Sequence, residues 1–261
     1  MWDGSDHLNR FYQTQCGVHV QKMLAPLMDR FCTTDRHTQT AAFGYPFPFF
    51  SSSIPYKDRA GSLHRQSSHM LALVPDWVGP EGLPPAAASG ATLVEPYRWP
   101  LQDVQLDRLM LAHALEFDAR PDLILAESWR VLDGSGKLLV MVAHRHGLWT
   151  QAERTPFGQG QPFSRRQLRA LLAAAGFEVT ALHCVVHAPP AAFRWMTGLA
   201  PTLEAVGQRL WPMLGGVLVA EANKMLYAPA GNTSRLRQSS GMQPARLAPQ
   251  TGRSFNAPCA D

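Results

Sequence analysis

The chain has 261 residues, of which 46% are hydrophobic and 17% are charged, and its formal net charge is +4. This length allows one sizeable α/β core and is short for two domains. Residues 229–261 carry four arginines and one aspartate, so the remainder is near neutral and gives no strong signal of a nucleic-acid groove. The sequence contains no run of ~18 apolar residues and no signal-peptide pattern, so we expect a cytoplasmic chain without a transmembrane segment.

Helical and strand patterns alternate along the chain. Apolar residues at helical spacing predict helices at about 6–31, 121–132 and 164–176. Short apolar runs predict strands in a weak stretch that ends at Gly44 and at 68–75, 91–95, 106 onward, 137–144, 177–187 and 216–228. This alternation predicts a doubly wound α/β fold with a parallel sheet, in which ligands bind outside the carboxyl ends of the strands.

The segments between these elements predict turns, loops and an insert. Residues 51–66 are polar and irregular, 76–90 are rich in proline, glycine and alanine, and Asp133–Gly136 has the composition of a turn. A tryptophan-bearing helical insert is predicted at 190–213. We therefore expect one domain at 1–228, followed by a polar tail at 229–261 that buries too little apolar surface to order.

Three segments occur in an order that is typical of one family. The longest, LDRLMLAHALEFDARPDLILAESWRVLDGSGKLLVMVAHR, has Asp107 early in a strand, His113 at its end, and a helix ending in Arg-Val-Leu before Gly134 and Gly136. The others are LVEPYRWPL before it and SRRQLRALLAAAGFEV after it. Together they resemble class I S-adenosylmethionine-dependent methyltransferases, of the methyltransferase type 11-like kind, over residues 36–187.

The same resemblance extends to finer features. TPFGQGQPFSRRQL and RLWPMLGGVLVAEANKMLY are similar to a bacterial branch of methyltransferase-like proteins. The family resemblance implies a Rossmann-like sheet of seven strands with an antiparallel last strand, and S-adenosylmethionine as the cofactor.

The resemblance also implies three cofactor contacts. A glycine-rich turn after the first strand lets the backbone approach the methionine end, and here Phe43, Gly44 and Tyr45 stand in that place. Only one glycine remains and Pro46 lacks an N–H, so the loop is degenerate. An acidic residue after the second strand, Asp76, binds the ribose. An acidic residue after the third strand, Glu95, contacts the adenine.

Each of these residues has an alternative interpretation. The stretch AFGYPFPFF is equally consistent with a packed aromatic turn, because a single glycine is a weak motif. Asp76 is also interpreted as a solvated loop residue, and Glu95 as a surface carboxylate.

Two pairs of polar residues, His113 with Glu116 and His144 with His146, follow neighbouring strands. His113 and Glu116 lie on the side where the family holds the methyl acceptor, and a histidine there can take the acceptor's proton as a catalytic base. The alternative is a histidine that hydrogen-bonds the start of the next helix, with Glu116 favourable near that N-terminus. With His144 and His146, the two residues also resemble a HxxE and HxH metal cluster. No established ligand spacing surrounds them and the four cysteines lie far apart, so no metal site is predicted.

The acceptor side has two further features. Arg145, Arg154, Arg165 and Arg166 surround a loop that either closes over an anionic acceptor or is simply solvated. The insert at 190–213 is interpreted as a substrate lid, a membrane-surface helix or a packing element, and packing is the default.

The leading hypothesis is a methyltransferase that moves a methyl group from S-adenosylmethionine to an acceptor, either a small molecule or a protein. The alternative is a catalytically inactive protein of the same fold that acts as a binding or scaffold module, which the degenerate glycine loop favours. An open cleft over Gly44 supports the enzyme, and aromatic side chains of Phe43, Tyr45 or Phe47 in that cleft support the scaffold. The sequence indicates neither the acceptor nor the oligomeric state.

Overall fold

The computed structural model describes residues 4–32, 38–50, 56–57, 63–64, 70–79, 83, 91–152, 155–190 and 200–226. The chain divides into two units, Met1–Tyr227 and Ala228–Asp261. All of the described residues belong to the first unit. The predicted tail at 229–261 lies outside them, as does the first part of the predicted insert, 191–199.

The main sheet confirms the predicted fold class. It has seven strands in the order β5–β4–β1–β6–β7–β9–β8. Every neighbouring pair is parallel except those of β9, which is antiparallel to both β7 and β8. Its strands are β1 (Thr40–Gly44), β4 (Met70–Pro75), β5 (Ala91–Val94), β6 (Leu106–Ala112), β7 (Leu132–Ala143), β8 (Phe177–Val185) and β9 (Val217–Lys224). The order of the parallel strands reverses between β1 and β6, so a ligand is expected at the carboxyl ends of these two strands.

Helices flank the sheet, and a small hairpin lies apart from it. The helices are α1 (Gly4–Gln13), α2 (Gln15–Cys32), α3 (Phe47–Phe50), α4 (Pro121–Val131), α5 (Arg165–Ala174) and α6 (Ala200–Leu210). The hairpin pairs β2 (Tyr56–Lys57) with β3 (Leu63–His64) inside the segment predicted to be irregular. Among the described helices, none is both long enough and apolar enough to cross a membrane.

The single helix predicted at 6–31 is wrong, because the chain turns at Thr14 between α1 and α2. The Thr14 hydroxyl donates to the carbonyl of Phe11 at 2.6 Å and accepts from the backbone N–H of Gly17 at 3.1 Å. A Cβ on Gly17 would lie 2.2 Å from the Phe11 oxygen, so the two helices meet at backbone contact. Threonine competes with helical hydrogen bonds in this way, which apolar periodicity does not reveal.

The core has two layers, one on each face of the sheet. Alternate residues of a strand enter different layers, as Leu139 and Met141 do on one side and Leu138 and Val140 on the other. The layer that contains Met141 includes the apolar side chains of α1 and α2, whereas the opposite layer includes those of α4 and α5. The N-terminal helices are therefore part of the main core.

Two local predictions have different outcomes. The turn predicted at Asp133–Gly136 lies within β7, where the pairing jumps from Leu106–Leu132 to Arg108–Lys137. The extra residues form a bulge, in which the Asp133 carboxylate accepts from the N–H of Ser135 at 3.0 Å. The helix predicted at 164–176 is confirmed as α5, and Ser164 caps its start in a full capping box with Gln167.

Candidate functional site

Strand register brings four of the predicted residues to one edge of the sheet. Gly44 pairs with Ala112, so Tyr45 and His113 directly follow paired residues at the carboxyl ends of β1 and β6. Pro75 pairs with Val94, so Asp76 and Glu95 directly follow the carboxyl ends of β4 and β5. The four strands are neighbours in the order β5–β4–β1–β6. The two acidic residues thus follow adjacent strand ends, on the side of β1 away from His113.

Gly44 makes a tight turn against the neighbouring strand. Its φ is +104°, a conformation that disfavours L side chains, and an added Cβ would lie 2.2 Å from the carbonyl oxygen of Ala112. The same oxygen accepts the backbone N–H of Tyr45 at 2.7 Å, and Pro46 has no N–H to donate. Gly44 therefore allows the backbones of β1 and β6 to approach closely, and neither Tyr45 nor Pro46 has a backbone N–H available to a ligand.

Aromatic side chains fill the region beyond this turn. Tyr45 is 1% exposed, stacks on Tyr12 with ring centroids 6.4 Å apart, and meets Phe47 edge to face at 5.2 Å. Phe49 packs on Tyr12 from another side. Phe43 lies in the opposite layer of the core, where its ring is 4.7 Å from that of Trp99. Of the three loop aromatics, Tyr45 and Phe47 occupy the edge of the sheet and Phe43 does not.

The two carboxylates are accessible. Asp76 is exposed and begins a short 3-10 helix, Asp76–Val78, and Glu95 is exposed at a β-bridge with Arg98. Carboxylates in these places suit the ribose hydroxyls and the adenine amine of S-adenosylmethionine. The loop after β1 does not supply the usual backbone donors for the methionine end. The described residues therefore fit the adenosine half of the cofactor better than the methionine half.

His113 is buried in a chain of hydrogen bonds. Its Nε2 is 2.7 Å from the hydroxyl oxygen of Tyr12, and its Nδ1 is 3.0 Å from Oε1 of Glu116. The side chains of His113 and Glu116 are fully buried, and Oε2 of Glu116 has no hydrogen-bond partner among the described residues. His113 has a φ of 52°, in the left-handed region. Such strain is uncommon for a residue other than glycine and recurs at functional sites.

The proton positions in this chain follow from the partners. Burial, and after it the nearby charge of Glu116, raises the pKa of Tyr12 well above its ordinary value, so the phenol keeps its proton. It therefore donates to Nε2 of His113, and Nδ1–H of the same ring donates to Glu116. Both interpretations of His113 from the sequence, as a catalytic base and as a histidine at a helix start, placed Glu116 beside it. The sequence did not predict the contact of His113 with Tyr12. Tyr12 lies 101 residues away in α1 and no local pattern connects them.

Among the described residues, the remaining candidates on the acceptor side have separate contacts, apart from His144 and His146, whose rings lie 5.7 Å apart. His144 is buried and its Nδ1–H donates to the carbonyl of Gly215 at 2.8 Å. Within the described part of the chain, no group of three His, Cys, Asp or Glu side chains is placed to hold a metal ion. Arg145 is exposed and its Nε donates to the carbonyl of Pro162 at 3.2 Å. Arg154 lies outside the described residues.

Comparison with known proteins gives structural relatives only. No protein-family model matches the chain, and no curated protein matches it. It is similar in structure to a SAM-dependent methyltransferase from Thermotoga maritima, with a TM-score of 0.52 and 16% identity over 84% of this chain and 98% of that one.

Two further structures have the same fold. One is from the complex of the Haloferax volcanii Trm112 methyltransferase activator with a methyltransferase, with a TM-score of 0.58 and 15% identity over 87% of this chain and 99% of that one. The other is the [4+2]-cyclase SpnF, with a TM-score of 0.51 and 14% identity over 82% of this chain and 84% of that one. The sheet order, the antiparallel β9 and these likenesses agree, so the chain has the Rossmann-like fold of class I S-adenosylmethionine-dependent methyltransferases.

Proposed function

We propose that the chain is a cytoplasmic methyltransferase that binds S-adenosylmethionine and methylates an acceptor, which is a small molecule or a protein. The observation that carries this proposal is the pairing of Pro75 with Val94, because it brings Asp76 and Glu95 side by side at the carboxyl edge of the sheet. Cys16 and Cys184 form no disulfide with another described residue, which agrees with a reducing compartment.

In this proposal each predicted residue has a separate role. Asp76 accepts hydrogen bonds from ribose hydroxyls, Glu95 accepts from the adenine amine, and Gly44 forms the turn that puts Tyr45 beside the methionine end. The side chain of Phe43 takes no part, contrary to the prediction, because it is buried in the opposite layer of the core against Trp99. When bound, the cofactor supplies a methyl group activated on sulfur. Methyl transfer to a good nucleophile needs mainly alignment, so proton removal is a secondary contribution.

His113 is the proposed base, and Tyr12 stands between it and the acceptor. Because the hydroxyl of Tyr12 occupies Nε2, an acceptor proton reaches the imidazole through that hydroxyl. Tyr12 passes its own proton to Nε2 and takes one from the acceptor, while Glu116 stabilises the resulting imidazolium through Nδ1–H. We therefore expect His113→Ala to lower turnover and to leave cofactor affinity nearly unchanged.

Calorimetric titration of the full chain with S-adenosylmethionine and S-adenosylhomocysteine tests the cofactor site. We expect micromolar affinity, about −8 kcal/mol. We expect Glu95→Ala and Asp76→Ala each to weaken binding about tenfold, because each removes one charged acceptor of hydrogen bonds. Glu178→Ala is the matched control, because it removes an exposed carboxylate of β8. Equal affinities in all three variants would remove the proposed roles of Asp76 and Glu95.

A second candidate function is a scaffold of the same fold without catalysis. The burial of Tyr45 and Phe47 favours it, because these rings fill the edge beyond Gly44. A scaffold predicts no heat of binding with S-adenosylmethionine or S-adenosylhomocysteine. It also predicts no rise in melting temperature when the ligand concentration is a hundred times the expected dissociation constant, whereas at that concentration a binding protein would be stabilised by ~2.7 kcal/mol. That outcome would replace the enzyme with a binding module whose partner is a protein.

A further inference from the structure

An exposed apolar patch lies at the edge of the sheet where β7 and β8 end and β9 begins. It consists of four large side chains, one from the loop after β7 and three from the segment between α6 and β9: Leu148, Trp211, Met213 and Leu214. Trp211 is 56% exposed and Met213 57%. Leu148, Trp211 and Leu214 line one depression of the surface. Large apolar side chains that gather on a surface in this way mark an interaction site.

The segment that carries three of these residues is anchored on both sides. In α6, the buried carboxylate of Glu204 accepts the backbone N–H of His187 and that of Ala188, each at 2.8 Å. Before β9, a Cβ on Gly147 would lie 2.6 Å from the carbonyl oxygen of Gly215, so the backbones are in close contact there. The apolar patch is therefore held in place by backbone contacts at each end of its main segment.

Cations adjoin the apolar patch, and they come from neighbouring segments more than from α6 itself. Arg145 is exposed in the same loop as Leu148, and its backbone N–H donates to the carbonyl of Phe163 at 2.9 Å. This bond brings the loop beside the start of α5. There Arg165 has its Nη1 2.6 Å from Sδ of Met213. Two guanidinium groups thus lie at the border of the patch.

The segments that form this face contain no acidic residue. Residues 144–152, 155–175 and 205–216 have no Asp or Glu, whereas they have five arginines: Arg145, Arg165, Arg166, Arg169 and Arg209. Between the first two segments, Glu153 and Arg154 cancel in formal charge. Asp76 and Glu95 follow β4 and β5, at the other end of the strand order. The apolar patch therefore lies in a region of net positive charge.

This combination favours one class of partner. A second copy of the chain in a symmetric interface would bring the same arginines against one another, which like charges oppose. A single-stranded nucleic acid stacks its bases on aromatic rings, whereas three of the four patch residues are not aromatic. A lipid bilayer suits both features, because Trp and Leu side chains insert at the headgroup boundary while arginines attract anionic headgroups.

We propose that this face docks on the surface of an anionic lipid bilayer. The apolar patch inserts among the headgroups, and Arg145 and Arg165 pair with the lipid phosphates. Docking of this kind is peripheral, and it does not depend on whether the chain binds S-adenosylmethionine.

Co-sedimentation of the full chain with lipid vesicles tests the docking. The vesicles are made of phosphatidylcholine alone or of phosphatidylcholine with ~30% phosphatidylglycerol, in ~0.1 M salt. We expect the anionic vesicles to bind at least about tenfold more tightly, because each arginine near such a surface contributes about fivefold in affinity. Equal binding to both kinds of vesicle, or no binding to either at millimolar lipid, would overturn the proposal.

Charge variants locate the binding on this face, which is necessary because residues 229–261 also carry arginines. Arg145→Gln and Arg165→Gln are each expected to weaken binding to the anionic vesicles about fivefold. Lys137→Gln is the matched control, because it removes one exposed charge from the opposite end of β7. We expect it to change binding less than about twofold, since salt screens distant charges. Wild-type binding by both arginine variants would place the lipid contact elsewhere and refute the proposal.

Trp211→Ala tests the insertion separately. It is expected to weaken binding to the anionic vesicles about fivefold or more, because it removes the largest apolar side chain of the patch. Leu93→Ala is the control, because this side chain of β5 is 46% exposed at the other end of the sheet. Far-UV circular dichroism checks that both variants fold. A folded Trp211→Ala variant that binds like wild type would show adsorption by charge alone and would contradict insertion.

Two further measurements on the full chain identify the other possible occupants. Sedimentation velocity detects a dimer, and a dimer that Trp211→Ala dissociates would assign the patch to a second copy. Fluorescence anisotropy with a labelled single-stranded oligonucleotide detects a nucleic-acid face, and binding of the oligonucleotide without binding of either vesicle would assign the patch to nucleic acid. Either result would replace the lipid surface as the partner.

Discussion

The hydrogen bond between Tyr12 and His113 connects the N-terminal helix to the sheet, and Tyr12→Phe removes it. The substitution retains the ring that stacks on Tyr45, so the packing of the aromatic layer is preserved. It leaves Nε2 of His113 buried without its partner at 2.7 Å. An unsatisfied buried acceptor costs ~1–3 kcal/mol, so we expect the free energy of unfolding to fall by that amount. For a domain of this size the melting temperature then falls by ~2–12 °C.

Urea denaturation followed by circular dichroism measures this change. Tyr45→Phe is the matched control: it removes the hydroxyl of the neighbouring stacked ring, which makes no hydrogen bond to the described residues. We expect the control to change the free energy of unfolding by less than ~0.5 kcal/mol. A Tyr12→Phe variant as stable as the control would refute the argument that the Tyr12 hydroxyl satisfies His113.

Two further predictions concern the sheet and its flanking helix. Gly44→Ala is expected to lower the free energy of unfolding by at least ~2 kcal/mol in urea, because its φ of +104° and the Ala112 carbonyl both disfavour a Cβ; a loss below ~0.5 kcal/mol would contradict this geometry. Glu127 accepts from the Trp99 N–H at 2.7 Å and from Arg130 at 2.6 Å. Burial opposes the ionisation of Glu127, but these hydrogen bonds outweigh burial and lower the pKa of its carboxyl. The ionised carboxylate therefore contributes its full stabilisation above the ordinary carboxyl pKa, and this contribution is lost as the pH falls through the lowered pKa. The difference in unfolding free energy between wild type and Glu127→Gln should therefore shrink from pH 7 to pH 3, and a constant difference would refute the linkage.

Local periodicity predicted the succession of strands along the chain and the helix that forms α5. The resemblance placed Gly44, Asp76, Glu95 and His113 at strand ends, and the register confirms these positions. Strand ends are visible in a sequence because apolar runs stop there and a polar or glycine residue follows. The contacts assigned to these residues stay predictions. The cofactor titrations test Asp76 and Glu95, and the turnover of His113→Ala tests the acceptor side.

The break between α1 and α2 depended on more than hydrophobic spacing. The apolar residues of both helices continue one helical pattern, whereas the hydroxyl of Thr14 ends the hydrogen bonding of the first helix. A short polar side chain that competes for the hydrogen bonds of the backbone does not change the spacing of apolar residues in the sequence. The helix boundary was therefore decided by a local hydrogen bond and by the packing of the two helices at Gly17.

What the sequence determined by itself is the layer of secondary structure, because apolar spacing, caps and turns act over a few residues. What only the tertiary structure decided is which distant groups meet. Tyr12 reaches His113 across 101 positions, and Glu204 reaches His187 across 17 positions and a change of element. These contacts leave no periodic trace, because they depend on how the helices pack against the sheet.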